Sequence, residues 1–251
     1  MKYACITSMD KAYYDKYGKY MLESYKAFMK DITLFLYNED FSVKLPRFIK
    51  PIGFDLGKDF LDFQDRWKGK NNRVVTFSKK AYSIIHAMEK IKADRLIWID
   101  ADCLLTRRLS GQFIELISND KILSTHFGVL HKKDDKEYFS CETGFFILNT
   151  NHPGFEDFKD TYKRIYNNDI YHQLRRFYDG EVYGDVVRRM ANAGHEILDL
   201  NPGNVHKTPI PRSVLAPYIS HMKAGLKDGF DYDSAMKKIN DLDSDESELN
   251  L

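Results

Sequence analysis

Residues 95–100 read RLIWID, with four apolar residues in an unbroken row before the acid. A strand of that kind has no solvent face, so both of its sides must be covered. This excludes a one-sided antiparallel sheet and predicts an α/β architecture with a mostly parallel central sheet and helices on both faces. A cover lies immediately upstream. Ala81, Ile84, Ile85, Met88 and Ile91 recur at helical spacing behind Ser78, a residue type suited to an N-cap.

Strand and helix signals alternate along the rest of the chain. Residues 3–8 (YACITS) predict a first buried strand, followed by Tyr14, Tyr17, Met21, Tyr25 and Phe28 at helical spacing. Residues 32–38 predict a second strand. Pro46, Pro51, Gly53 and Gly57 break up residues 40–72, which read as loop with a short strand or helix. GFFILN (144–149) is a further buried strand. A helix should follow Pro153 with Phe155, Phe158, Tyr162 and Ile165 facing inward, and another should span about 180–193 and end at Gly194. Residues 196–200 read as a short strand. The pattern predicts one domain over 1–232 and an acidic, frayed tail over 233–251.

Composition narrows the function classes. Lys and Arg number 38 against 37 for Asp and Glu, a net charge of +1, which gives no footprint for nucleic-acid binding. The three cysteines, Cys5, Cys103 and Cys141, are widely spaced and odd in number, which argues against a disulfide framework and suggests a reducing, cytoplasmic setting. No signal-peptide pattern opens the chain, and no apolar run is long enough to span a bilayer.

Two carboxylates, Asp100 and Asp102, stand where the apolar strand ends. In open α/β sheets ligands collect at the carboxyl ends of strands. Side chains two apart on a strand share a side, so the pair is expected to converge, with small Ala101 between. Converging carboxylates repel unless a proton or cation joins them. Mg²⁺ or Mn²⁺ is the economical solution, since such ions take one or two carboxylates plus substrate phosphate oxygens. Asp-x-Asp also occurs at 231/233, 241/243 and 243/245, in polar surroundings that read as solvated loop or tail.

At this point the sequence resembles glycosyltransferases of the GT-A fold, in particular the glycogenin and lipopolysaccharide galactosyltransferase family. The resemblance runs in patches from residue 3 to about 228, and the Asp-x-Asp strand is its most specific piece. ITSMDKAY (6–13) is similar to the family's opening strand and nucleotide loop, which implies that Thr7, Ser8 and Tyr13 lie near base and ribose. FSKKAYSI is similar to its lysine-bearing helix and makes Lys80 a donor-binding residue, with Asp100 and Ala101 following on the Asp-x-Asp strand. CETGFFILN, with Glu142 and Gly144, resembles the segment lining the donor sugar. FYDGEVYGDVV, with Asp179 and Glu181, resembles the acidic helix start facing sugar and acceptor. HMKAGLK (221–227) resembles a late signature in which His221 completes the metal shell and Lys227 holds the diphosphate. The chain departs from the family in three places: Gly225 falls one position late, Glu142 replaces an Asn, and DGE replaces an Asp-Gln pair. These departures bear on the donor sugar and the catalytic carboxylate. The resemblance implies a UDP-sugar donor, retention of configuration and a carbohydrate or glycoconjugate acceptor.

The residues support this chemistry on their own account. Sugar transfer from a nucleotide diphosphate develops negative charge on the leaving group, which a cation and basic side chains would stabilise. Asp100, Asp102 and His221 are the candidate metal ligands, and Lys227 a candidate phosphate partner. Arg73, Lys79 and Lys80 form a second basic group, the lysines at an expected helix N-terminus. Glu142, Asp179, Glu181 and Asp185 are candidates near the anomeric carbon, Asp179 also as N-cap of the helix from 180. Trp67 is a candidate acceptor contact, whereas Phe145 and Phe146 read as core. A nucleotidyltransferase is a rival, although the glycine-rich loop it would carry after the first strand is missing from TSMDKAYYDKYG. A non-catalytic nucleotide-sugar binding domain is another.

Overall fold

The computed structural model describes residues 1–133, 136–170, 174, 178–204, 206–222, 231, 234 and 236–237. Lys227, Gly225 and the acidic run from 238 onward lie outside the described residues. The seven-stranded sheet has the order β3-β2-β1-β4-β7-β6-β8. Its strands are β1 (Tyr3–Met9), β2 (Thr33–Asn38), β3 (Ile49–Gly53), β4 (Arg95–Ile99), β6 (Ile122–Lys133), β7 (Lys136–Asn149) and β8 (Glu196–Asp199). Neighbours pair in parallel except at β7, which runs antiparallel to β4 and to β6. A two-stranded antiparallel ribbon joins β5 (Cys103–Leu105) to β9 (Ile219–His221).

Burial on both faces is visible residue by residue. Along β4, Leu96 and Trp98 enter one core while Ile97 and Ile99 enter the other. Along β7, Phe146 and Leu148 face the first core and Phe145 and Ile147 the second. Four helices cover the first face: α3 (Lys58–Trp67), α4 (Asn72–Lys90), α6 (Phe155–Asn167) and α7 (Asp179–Asn192). The second is covered by α2 (Lys19–Met29) and α5 (Gly111–Ile117). Ahead of α2 the chain passes from α1 (Lys11–Tyr13) through a π-helical turn, Tyr14–Gly18.

Two expected boundaries shift, with consequences for the site. The helix expected to start at Ser78 begins at Asn72, because Asn71 caps it by accepting from the Val74 amide at 3.3 Å. Ser78 instead bonds back to the Val75 carbonyl, and Lys79 and Lys80 sit well inside α4, beyond reach of the helix-terminal dipole. In α7, Tyr178 occupies the N-cap position without a side-chain capping bond, and Asp179 is the first helical residue. Trp67 closes α3 instead of lying in a loop, and its Nε1 donates to Asp169 at 3.1 Å. Residues 40–72 contain both β3 and α3. The strand expected at 144–149 is the end of the longer β7, and its hairpin partner β6 carries no clear strand pattern in the sequence.

Candidate active site

The carboxyl ends of β1 and β4 open into a cleft. One lobe, about 250 Å³, is lined by Ser8, Tyr13, Lys80, Trp98, Asp100, Ala101, Asp102 and Asp179, among others. A second lobe, about 270 Å³, is bordered by Glu142, Thr143, Tyr178, Asp179, Glu181, His131 and His221, and again by Asp100. The two lobes therefore meet at Asp100 and Asp179.

The two acids of the Asp-x-Asp motif do not converge by strand alternation. The strand ends at Ile99, and Asp100 to Asp102 form a tight turn closed by the Cys103 amide on the Asp100 carbonyl at 2.9 Å. The turn sends the carboxylates to different partners. Asp100 Oδ1 accepts from Lys80 Nζ at 2.7 Å and from the Trp98 indole at 2.6 Å. Asp102 Oδ2 accepts from the Tyr13 hydroxyl at 2.8 Å, and its Oδ1 lies 3.3 Å from His221 Nε2.

Three side chains form a compact potential ligand set. One ligand atom each from Asp102, Cys103 and His221 lies within 4.8 Å of the others. The expected ligand Asp100 stands outside this set, held by Lys80, although no hydrogen bond among the described residues uses its Oδ2. His221 reaches the set because β9 pairs with β5 in a register that places it opposite Cys103. Gly144 makes room for the ring, since a Cβ there would stand 2.7 Å from His221 Cε1. The ring's other nitrogen, Nδ1, lies 3.7 Å from Glu142 Oε1. Burial alone would lower the His221 pKa, but the bond to Asp102 and the charge of Glu142 outweigh it and raise the pKa. The Tyr13 hydroxyl is pushed up by burial and by Asp102, so it stays protonated and donates.

Lys80 ties the lobes together. Its ammonium meets Asp100 Oδ1 at 2.7 Å, Asp179 Oδ2 at 3.0 Å and the Thr143 carbonyl at 2.8 Å. Those contacts match the three donors an ammonium owns. Burial would lower the Lys80 pKa, but Asp100 and Asp179 override it and raise it, so the cation persists. Burial likewise pushes the Asp179 carboxyl up, and Lys80 with the Thr143 hydroxyl, 2.6 Å away, brings it below the usual range. Asp100 moves the other way: burial raises it, Lys80 only partly compensates, and Asp102 adds repulsion.

The other candidates are placed as follows. Glu142 and Glu181 are buried at the second lobe. Asp185 is buried further along α7 and is paired with Arg188 at 2.9 Å and Arg189 at 2.6 Å. Ser8 lines the first lobe, whereas Thr7 is fully buried and its hydroxyl has no hydrogen-bond partner among the described residues. Arg73 is exposed at the start of α4, over the Tyr178 ring at 5.9 Å. Lys79 pairs with Glu39, and both border the first lobe. Sequence reasoning missed Trp98 as a partner of Asp100, and His131, whose Nε2 stands 2.8 Å from Ser140 Oγ at the second lobe. Trp98 carried a signal, a polar N–H on a buried residue two positions before the acid. His131 carried none without the β6–β7 pairing.

No family model and no curated protein matches the sequence. Solved structures do match. A galactosyltransferase, LgtC, in complex with donor and acceptor sugar analogues aligns over 95% of both chains at 13% identity and a TM-score of 0.53. An active-site mutant of LgtC aligns over the same shares at 15% identity and a TM-score of 0.55. The glycosyltransferase GlyE of Streptococcus pneumoniae TIGR4 aligns at 12% identity and a TM-score of 0.53, the match covering 95% of this chain and 60% of GlyE. The chain thus has the GT-A glycosyltransferase fold, as a remote match. Among the described residues no helix is long and apolar enough to cross a membrane.

Proposed function

We propose that the protein is a metal-dependent glycosyltransferase that moves a hexose, with retention, from a UDP-sugar to a carbohydrate or glycoconjugate acceptor. The observation that carries this reading is the buried Asp102–His221 pair, 3.3 Å apart at the mouth of a cleft whose second lobe is lined by carboxylates. Two neighbouring ligands about 2.0–2.1 Å from an octahedral ion stand about 2.9 Å apart, so the pair at 3.3 Å needs a shift of only about 0.4 Å to share a cation. The carboxylate oxygens of Asp102, with Asp100 Oδ2 in support, are the hard ligands that Mn²⁺ or Mg²⁺ takes, and His221 would add one imidazole nitrogen. When bound, such an ion supplies charge neutralisation for the leaving diphosphate.

The chain's own residues do the rest. Tyr13 holds the Asp102 carboxylate in place by donating to Oδ2. The lobes, about 250 and 270 Å³, share Asp100 and Asp179, which suits a nucleotide sugar laid across both. Ser8 and Tyr13 would then border the nucleotide, and Glu142, Asp179, Glu181 and Gly144 the sugar. Asp179, kept ionised by Lys80, suits stabilisation of positive charge at an anomeric carbon better than proton abstraction, because a lowered pKa makes a weak base. Lys80 has all its donors committed and acts by fixing Asp100 and Asp179; Lys227 remains the candidate phosphate cation.

The test is donor hydrolysis with a panel of UDP- and GDP-sugars, with and without Mn²⁺. Slow, Mn²⁺-dependent release of nucleotide diphosphate from a UDP-sugar is expected. Pyrophosphate release from a nucleoside triphosphate would instead indicate a nucleotidyltransferase, and donor binding without turnover a binding domain.

A further inference from the structure

We propose that the Cys103 thiol makes the Asp102–His221 pair a tighter site for thiophilic divalent cations such as Zn²⁺, which there displace the hard cation and regulate the site. The inference rests on the metal-site reading above and adds a competitor of different chemistry.

Three observations support it. Cys103 and His221 are directly opposed across the β5–β9 ribbon. Opposed residues present their side chains on one face, with Cβ atoms about 4.5–5.5 Å apart. Asp102 precedes the strand in a turn, so it escapes alternation and reaches the same imidazole. The ligand atoms of Asp102, Cys103 and His221 already lie within 4.8 Å of one another, and among the described residues no other such group of three His, Cys or acidic side chains is found. Closing onto an ion requires sulfur to approach the imidazole by no more than about 1.3 Å, since a Zn–S bond of about 2.3 Å and a Zn–N bond near 2.0 Å place the two ligands roughly 3.5 Å apart. That motion breaks little, because a thiol is a weak donor and the bond at stake is the one from Cys103 Sγ to the Gly144 carbonyl, at 3.5 Å.

The chemistry then separates the two cations. Mn²⁺ and Mg²⁺ favour oxygen and leave a thiol alone, whereas one sulfur, one imidazole and one carboxylate form a ligand set for Zn²⁺, which binds such donors more tightly than Mn²⁺. As the S–Zn bond forms, the S–H proton leaves to water, and the three protein ligands leave one tetrahedral position open. Cys5 and Cys141 are buried as well, but neither joins such a set.

Co²⁺, a spectroscopic substitute for Zn²⁺, tests this directly. Titrating Co²⁺ into the whole protein should produce a near-ultraviolet thiolate-to-cobalt charge-transfer band that persists when Cys5 and Cys141 are both changed to Ser. The band should vanish in Cys103→Ser and Cys103→Ala, with folding checked by near-ultraviolet circular dichroism. Zn²⁺ should displace Mn²⁺, followed by the Mn²⁺ electron paramagnetic resonance signal. Zn²⁺ affinity should fall at least about tenfold in the Cys103 variants while Mn²⁺ affinity holds. Cobalt binding without the band, or a band that depends on Cys5 or Cys141, overturns the inference. If Mn²⁺ fails to bind, the metal-dependent function fails instead, and the cobalt band still decides the role of Cys103.

Discussion

His221 stands 3.3 Å from Asp102 although the two lie far apart in the chain. The link is the pairing of β9 with β5, which sets His221 opposite Cys103 and so beside the end of the Asp-x-Asp turn. Tyr13 holds the opposite oxygen of Asp102 at 2.8 Å, so the carboxylate is gripped from both sides. Removing that support should loosen the site without unfolding the protein. Tyr13→Phe is expected to weaken Mn²⁺ binding about 10–100-fold, measured by calorimetry, with a stability loss of only about 1 kcal/mol.

Gly144 is the space His221 occupies. A methyl group there would press to 2.7 Å from the ring, and the ring is buried with little room to yield. Gly144→Ala should therefore cost about 1–3 kcal/mol in stability and abolish saturable Mn²⁺ binding. A denaturant melt and an Mn²⁺ titration check both halves; normal metal affinity would show that the ring does not need this position.

Lys80 neutralises Asp100 and Asp179 in a mostly buried setting, with 14% of its own side chain exposed. Lys80→Met leaves two carboxylates unbalanced, which should destabilise the fold by about 3 kcal/mol. Turnover should fall by at least about 10²-fold as the lobes lose register. Equal stability of variant and wild type in urea would contradict the clamp.

His126 makes acid stability predictable. Burial pushes its pKa down from 6.5 to about 4, and its Nδ1 has no hydrogen-bond partner among the described residues. A histidine whose folded pKa lies below its unfolded value favours the folded state above the unfolded pKa. That contribution is lost as pH falls from about 6.5 towards 4, and amounts to something on the order of 3 kcal/mol. His126→Gln should flatten this part of a stability–pH curve. An unchanged slope would assign the acid sensitivity to other groups.

Much of this was legible in the sequence where apolar pattern alone decides the outcome. β4 was visible because every residue of LIWI is buried, and α6 because Phe155, Phe158, Tyr162 and Ile165 hold one face. β6 was not. Its buried Ser124, Thr125 and His126 break the apolar pattern; Ser124 and Thr125 are tolerated through partners such as the Tyr183 hydroxyl, 2.9 Å from Ser124 Oγ, and the Ile117 carbonyl. The start of α4 was misplaced because Asn71 caps upstream of an apolar stripe that becomes regular only later. Asp102 and His221 were nameable as site residues. Their grouping with Cys103, and the parting of Asp100 towards Lys80, depend on a turn and a cross-strand register that local pattern does not encode.

The central claim is that a cation held by Asp102 and His221 serves cleavage of a nucleotide-diphosphate sugar. It is tested most directly by following Mn²⁺ binding and UDP-sugar hydrolysis in parallel for the wild-type protein and a folded Asp102→Ala variant. The account predicts saturable Mn²⁺ binding and metal-dependent hydrolysis in the wild type, and neither in the variant. Hydrolysis that persists in Asp102→Ala, or proceeds equally well in the wild type with the metal chelated, would contradict it.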